Sequence, residues 1–171
     1  MPLGMALFVS HGYSERVHYR LHIPADFDDL FAIEEVCFPR PQRFTKRYLR
    51  QLVQLPDAVT WVAEENGNLA GFAIVEWASQ VAGVVAYIAT IEVLPAHRGV
   101  GVGAELLRRI EGSAHAEGAI EIWLHVDAGN APAIHLYQAG GYCVAGRAEH
   151  YYARGRDAEV YRKKLVAEAK L

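Results

Sequence analysis

The spacing of hydrophobic and polar positions changes period several times along the chain, and each change marks an element. Residues 17–23 (VHYRLHI) alternate weakly, as a strand does, and Pro24 stops them. Over residues 26–36, Phe27, Leu30, Ile33 and Val36 recur at helical spacing. Phe38, Pro39 and Pro41 break that helix, and Thr45 can cap a second one running to Leu55, with Tyr48, Leu49 and Leu52 on one face. Residues 59–64 and 69–77 are β-rich runs joined by Glu65-Asn66-Gly67-Asn68, whose Asn-Gly step predicts an antiparallel hairpin. Residues 81–93 (VAGVVAYIATIEV) are long, β-branched and almost uncharged, which predicts a central strand covered on both faces.

The helical period returns over residues 101–117, with Leu107, Ile110 and Ala114 on one stripe and Glu105 four before Arg109. A strand over 120–126 precedes a helix over 131–139, which Gly140-Gly141 stops. Two last strands, 142–151 and 159–165, flank a polar turn containing Gly155. This order describes one domain, a mixed sheet with helices on both faces, over residues 17–171 after an extension of residues 1–16.

Composition narrows the class. With 171 residues, 52% hydrophobic and 22% charged, the chain can bury a full core, which excludes disorder and fibrous repeats. A net charge of -3 leaves no basic footprint for nucleic acid, so any anion must be held locally. Cys37 and Cys143 lie far apart without a Cys-x-x-Cys pair, which fits a reducing compartment and predicts the cytoplasm. The apolar start Met1 to Val9 lacks a basic flank and is too short to span a membrane, so no membrane partner is expected. His18 and His22 are roughly 13 Å apart along a strand, and no metal is assigned.

The most informative segment runs from Val93 to Ala104, between a strand and a helix. Gly99, Gly101 and Gly103 let the backbone approach a ligand, and their N–H groups at a helix start form an anion site. The spacing is not Gly-x-Gly-x-x-Gly, and no Lys-Ser/Thr follows, which weakens dinucleotide and P-loop readings. Plain close packing of helix on strand is the alternative for these glycines. Read as Arg98-x-x-Gly101-x-Gly103 after Val-x-Pro, the segment resembles the acetyl-CoA pyrophosphate motif of the GNAT superfamily of N-acetyltransferases. Asn130-Ala131-Pro132-Ala133-Ile134-His135-Leu136-Tyr137, followed by Gly140-Gly141-Tyr142, is similar to that superfamily's second signature. The element order from Tyr19 to Leu165 is also that of the superfamily.

Three segments resemble the protein Nα-acetyltransferases within it. Phe38-Pro39 is similar to their substrate loop, Leu124-His125-Val126 with Asn130 to their fifth strand, and Tyr151-Tyr152 with Asp157-Ala158 to their peptide-covering hairpin. The resemblance implies an α/β (α+β) GNAT fold, a mixed sheet of about seven strands flanked by about four helices, with strands four and five splayed. It implies acetyl-CoA as co-substrate and direct acetyl transfer to the N-terminal α-amine of a protein or peptide. It places the pyrophosphate over Arg98, Gly99, Val100, Gly101, Val102, Gly103 and Ala104, and the backbone of Ile91 and Val93 against pantetheine and acetyl carbonyl at a bulge. Asn130 would meet the pantetheine arm, although capping the next helix is an equally physical role. Phe38, Pro39, Ala89, Tyr151 and Tyr152 would line the acceptor site.

Transfer to an amine requires a neutral nucleophile, a polarised thioester carbonyl and a proton for the leaving thiolate. An α-amine with a pKa near 8 is roughly one-fifth neutral at pH 7.4, so a neutral imidazole suffices as base. By resemblance that base is His125, paired with Tyr87, and Tyr137 stands near the cofactor sulfur. Without the resemblance, all three side chains also fit the packed interior. Glu92 is a rival base beside the expected bulge, and Arg40 and Arg43 either attract an acidic acceptor or lie solvated. The rival functions are acetylation of a small amine, polyamine, antibiotic or lysine side chain, and a non-catalytic acyl-CoA-binding module. The sequence leaves monomer and dimer equally open.

Overall fold

The computed structural model describes residues 17–165, so the expected extension over residues 1–16 lies outside the described residues. In chain order the elements are β1 (His18–Leu21), α1 (Phe27–Cys37), α2 (Lys46–Val53), β2 (Ala58–Glu65), β3 (Asn68–Gln80) and β4 (Gly83–Val93). They continue as α3 (Val102–Ala116), β5 (Ala119–Asp127), α4 (Ala131–Ala139), β6 (Cys143–Ala153) and β7 (Arg156–Lys164). The seven strands form one sheet in the order β1-β2-β3-β4-β5-β7-β6. Only the central β4–β5 pair is parallel, because α3 carries the chain back across the sheet between them.

Local chemistry sets most boundaries. Asn66 and Gly67 both take positive φ, 52° and 77°, the geometry of a two-residue hairpin between β2 and β3. The Thr45 hydroxyl accepts from the Tyr48 amide and caps α2. On one face of the sheet, α3 buries Val102, Leu106, Leu107, Ile110 and Ala114 against Ala86, Ile88, Ile122 and Leu124, with Tyr137 of α4 in the same cluster. On the other, Leu30, Ile33, Leu49 and Leu52 of α1 and α2 pack on Val62, Phe72 and Ile74.

Four sequence expectations are corrected. β3 continues to Gln80, pairing Gln80 with Gly83, so Val81 sits at the tip of a second hairpin and is fully exposed. β4 is not covered on both faces: its residues alternate between buried and half-buried, because one face lines an open cleft. On α1, Val36 points to solvent at 59% exposure, while Glu34 turns inward at 1%. Tyr48 also leaves the buried face of α2 for the rim of that cleft.

Candidate active site

The cleft forms where the two halves of the sheet part. β4 pairs with β5 from Val84 to Tyr87, the last pair being Tyr87 with Trp123, and beyond it the strands diverge. A bulge lies just past this point, since Ile74 pairs with Thr90 and Val75 with Ile88, leaving Ala89 as the extra residue. The bulge reverses which face successive β4 side chains occupy: Ala86 and Ile88 face α3, as do Ile91 and Val93, whereas Ala89 joins the opposite cluster. The resulting cleft, of about 1280 Å³, is lined by Phe38, Ala89, Ile91, His125, Tyr137 and Tyr152 among others.

His125, near the end of β5, brings Nδ1 within 3.1 Å of the Tyr87 hydroxyl. Burial lowers the imidazole pKa, which favours the neutral ring, and burial raises the Tyr87 phenol, which keeps its proton. If Nδ1–H donates to the Tyr87 oxygen, the Nε2 lone pair is free to accept a proton, and the Tyr87 hydroxyl can turn towards its other partner, Tyr151. Tyr137 lines the inner wall, and burial holds its phenol protonated. Asn130 lines the cleft and caps α4, its side-chain oxygen accepting from the Ala133 amide at 3.2 Å.

Aromatic side chains wall the end of the cleft beside the β6–β7 hairpin. Tyr151 and Tyr152 reach it because β6 is irregular between Ala148 and Ala153, where His150 adopts a left-handed φ of 54°. The His150 amide donates to Asp157 Oδ1 and its ring accepts from the Gly155 amide, which offset the cost of that conformation. Facing them is the loop from Phe38 to Phe44. Pro39 does not line the cleft; its carbonyl accepts from the Gln42 and Arg43 amides and so shapes the loop. Arg43 is tied to Glu35 and to the Phe38 carbonyl. Gln42 and Arg156 both donate to Asp127 Oδ2, which joins this loop to the β6–β7 hairpin across the end of β5.

The glycine loop lies outside the cleft lining and offers backbone. Gly99 and Gly101 have positive φ, 77° and 93°, with open space where a Cβ would stand. Gly101 is the N-cap of α3 and supplies no side chain, so the amides of Val102, Gly103 and Ala104 at the first turn keep their donors for a ligand. Val102 is buried in the core and anchors the helix, whereas Val100 is exposed. A pyrophosphate fits such a cradle. Arg98 donates from Nε to the Val93 carbonyl at 2.8 Å, so that carbonyl is already engaged.

Glu92 is not in the cleft lining and is 2% exposed. Its Oε1 accepts from Thr90, while its Oε2 and Glu34 Oε2 are both buried without a further partner. Burial, and then the neighbouring Glu34, push the Glu92 carboxyl well above the usual range, which favours its protonated form. Sequence reasoning missed this pair, and also Glu76, Tyr48, Trp123 and Asp127 in the cleft. The one available signal was that Glu76 is the lone charge in the apolar run of β3 from Leu69 to Ser79. No helix among the described residues is long and apolar enough to cross a membrane.

The profile of the Acetyltransferase (GNAT) family matches residues 27–142. Streptothricin acetyltransferase of Streptomyces lavendulae is 42% identical over 91 residues, 53% of this chain and 47% of that one. An N-alpha-acetyltransferase of Sulfurisphaera tokodaii is 30% identical over 144 residues, 78% of this chain and 84% of that one. Arabidopsis thaliana Naa50, solved in complex with the bisubstrate analogue CoA-Ac-MVNAL, superimposes with a TM-score of 0.75 at 25% identity, covering 87% of this chain and 99% of that one.

Proposed function

The chain belongs to the acetyltransferase (GNAT) family, and from that premise we propose that it acetylates the N-terminal α-amine of a protein or peptide by direct transfer from acetyl-CoA. The observation that carries this reading is the Tyr87–His125 pair beneath a cleft walled by the Phe38 loop and the Tyr151-Tyr152 hairpin, open enough to admit a chain end. A relative whose match extends over most of the chain is an N-alpha-acetyltransferase, which supports the same acceptor.

Acetyl-CoA supplies an acyl group activated as a thioester. The amides of Val102 to Ala104, with Gly99 and Gly101, would hold its pyrophosphate, and Ile91, Val93 and Asn130 would flank the arm leading into the cleft. His125 Nε2 takes the proton that the acceptor nitrogen loses as its bond to the acyl carbon forms. The Tyr137 hydroxyl would donate a hydrogen bond to the departing sulfur, and the proton taken up by His125 returns through solvent to the thiolate, so the transfer leaves an amide and a thiol with both side chains as they began. The two free cysteines, Cys37 and Cys143, support a cytoplasmic setting.

The 42% identity to streptothricin acetyltransferase favours a second reading, a small-amine or antibiotic acceptor. A screen over short peptides with free N-termini, the same peptides with blocked N-termini and an internal lysine, and small amines including streptothricin decides between them. We expect acetylation at the α-nitrogen of the free peptides and none of the blocked ones. Turnover of the small amines alone overturns the peptide reading.

A further inference from the structure

Glu76 stands in the cleft without a partner. It lies on β3 directly opposite Tyr87 of β4, so the two side chains share a face of the sheet about 5 Å apart at Cβ, and both line the cleft. Tyr48 and Tyr87 both feel its charge, and burial raises its pKa. Among the described residues no hydrogen bond or ion pair engages the carboxylate, whereas the cleft's cations, Arg147 and Arg156, are taken by Asp157 and Asp127. A half-desolvated, unpaired carboxylate ringed by tyrosines gains from a cation that displaces the remaining water.

Which positive charge it takes follows from the chemistry. Pairing Glu76 with the reacting nitrogen would stabilise the ammonium and oppose the loss of the proton that attack requires. The favourable partner is therefore a different cationic group on the same acceptor. Glu76 neighbours Tyr87, which in turn bonds His125, so that group lies about one residue's length from the reacting nitrogen.

We propose that Glu76 is an acceptor-specificity residue that selects amines carrying a second positive charge, an ammonium or guanidinium, about one residue away from the nitrogen acetylated. This rests on acetyl transfer occurring in this cleft, and it holds whether the acceptor is a chain end with a basic side chain or a small diamine.

The test compares kcat/KM within isosteric pairs that differ by one charge. Free-N-terminus peptides carry arginine or citrulline at the first or second position, neither of which offers a side-chain amine to acetylate, and 1,5-diaminopentane is set, per amine, against 1-aminohexane. Wild type should favour the charged member of at least one pair by roughly tenfold. Glu76→Gln should bring that ratio to about one, and Glu76→Lys should favour a peptide with glutamate over one with glutamine at the same position. Acetyl-CoA affinity, measured by calorimetry, shows that each variant is folded. Equal rates within every wild-type pair, or a preference that survives Glu76→Gln, overturn the proposal. If only the diamine pair turns over and its preference depends on Glu76, the proposal stands and the α-amine reading fails. No turnover with any of these amines overturns both.

Discussion

The imidazole of His125 lies flat against the ring of Tyr151, with centroids 4.2 Å apart and planes 10° from parallel. One residue belongs to β5 and the other to the hairpin arm that walls the cleft, so the proposed base and the proposed acceptor wall are one packed unit. The stack shields one face of the imidazole from water, which accords with its lowered pKa.

Replacing His125 with alanine should reduce kcat by about 10² to 10⁴ and leave acetyl-CoA affinity nearly unchanged. Because the folded pKa lies below the ordinary 6.5, the neutral base persists to lower pH, and the acidic limb of kcat should fall below 6.5 in wild type. A His125→Ala variant that keeps both the rate and the limb shows that the histidine is structural.

Gly101→Asp should abolish acetyl-CoA binding. The position has a φ of 93°, so a side chain strains the backbone by about 1–2 kcal/mol, and the carboxylate repels phosphate. Calorimetry on a variant that retains its circular dichroism spectrum is the check, and unchanged affinity means the phosphates bind elsewhere.

Tyr152→Ala should raise the acceptor KM several-fold and the acetyl-CoA KM by less, since Tyr152 lines the proposed acceptor end of the cleft while the proposed pyrophosphate cradle lies at α3. Equal changes in both constants would make this tyrosine a support for the whole cleft.

The Glu34–Glu92 pair predicts how stability depends on pH. The folded state holds Glu92 protonated above its ordinary pKa of 4.5, so this contribution is complete below that value and lost as pH rises through the raised one. Glu92→Gln mimics the protonated acid without titrating and still accepts from Thr90, so it should lie nearest to wild type below pH 4.5 and gain on it as pH rises towards the raised pKa. Each pH unit between the two pKa values adds about 1.4 kcal/mol to that gain. Parallel melting curves at about pH 4 and about pH 6 test this; an offset equal at the two values would mean that folding does not raise the Glu92 pKa.

Features that depend on neighbours in sequence were legible. The Asn66-Gly67 hairpin, the Thr45 cap and the Gly99 to Gly103 loop each follow from residues within a turn of one another. The β3–β4 turn was not, because Val81 is apolar while the Ser79 and Gln80 before it are polar, and pairing rather than polarity sets the boundary. The site divides the same way. Tyr87 and His125 came from resemblance, not from any spacing, since they meet only through the parallel β4–β5 pair. Glu76 gains its place from register opposite Tyr87, and Glu34 from the face of α1 that meets Glu92, neither of which has a period to read.

The parting of β4 and β5 beyond Tyr87 and Trp123 has a consequence for amide exchange with solvent. From Ile88 to Val93 the β4 backbone is paired on its β3 side and faces no strand on the other, so amides on that open side lack the protection a central strand normally gives. A pantetheine arm lying in the opening would accept and donate along that edge as a strand does. The deuterium-uptake rate of these few amides would then report cofactor occupancy from the middle of the sheet, where native proteins otherwise exchange most slowly.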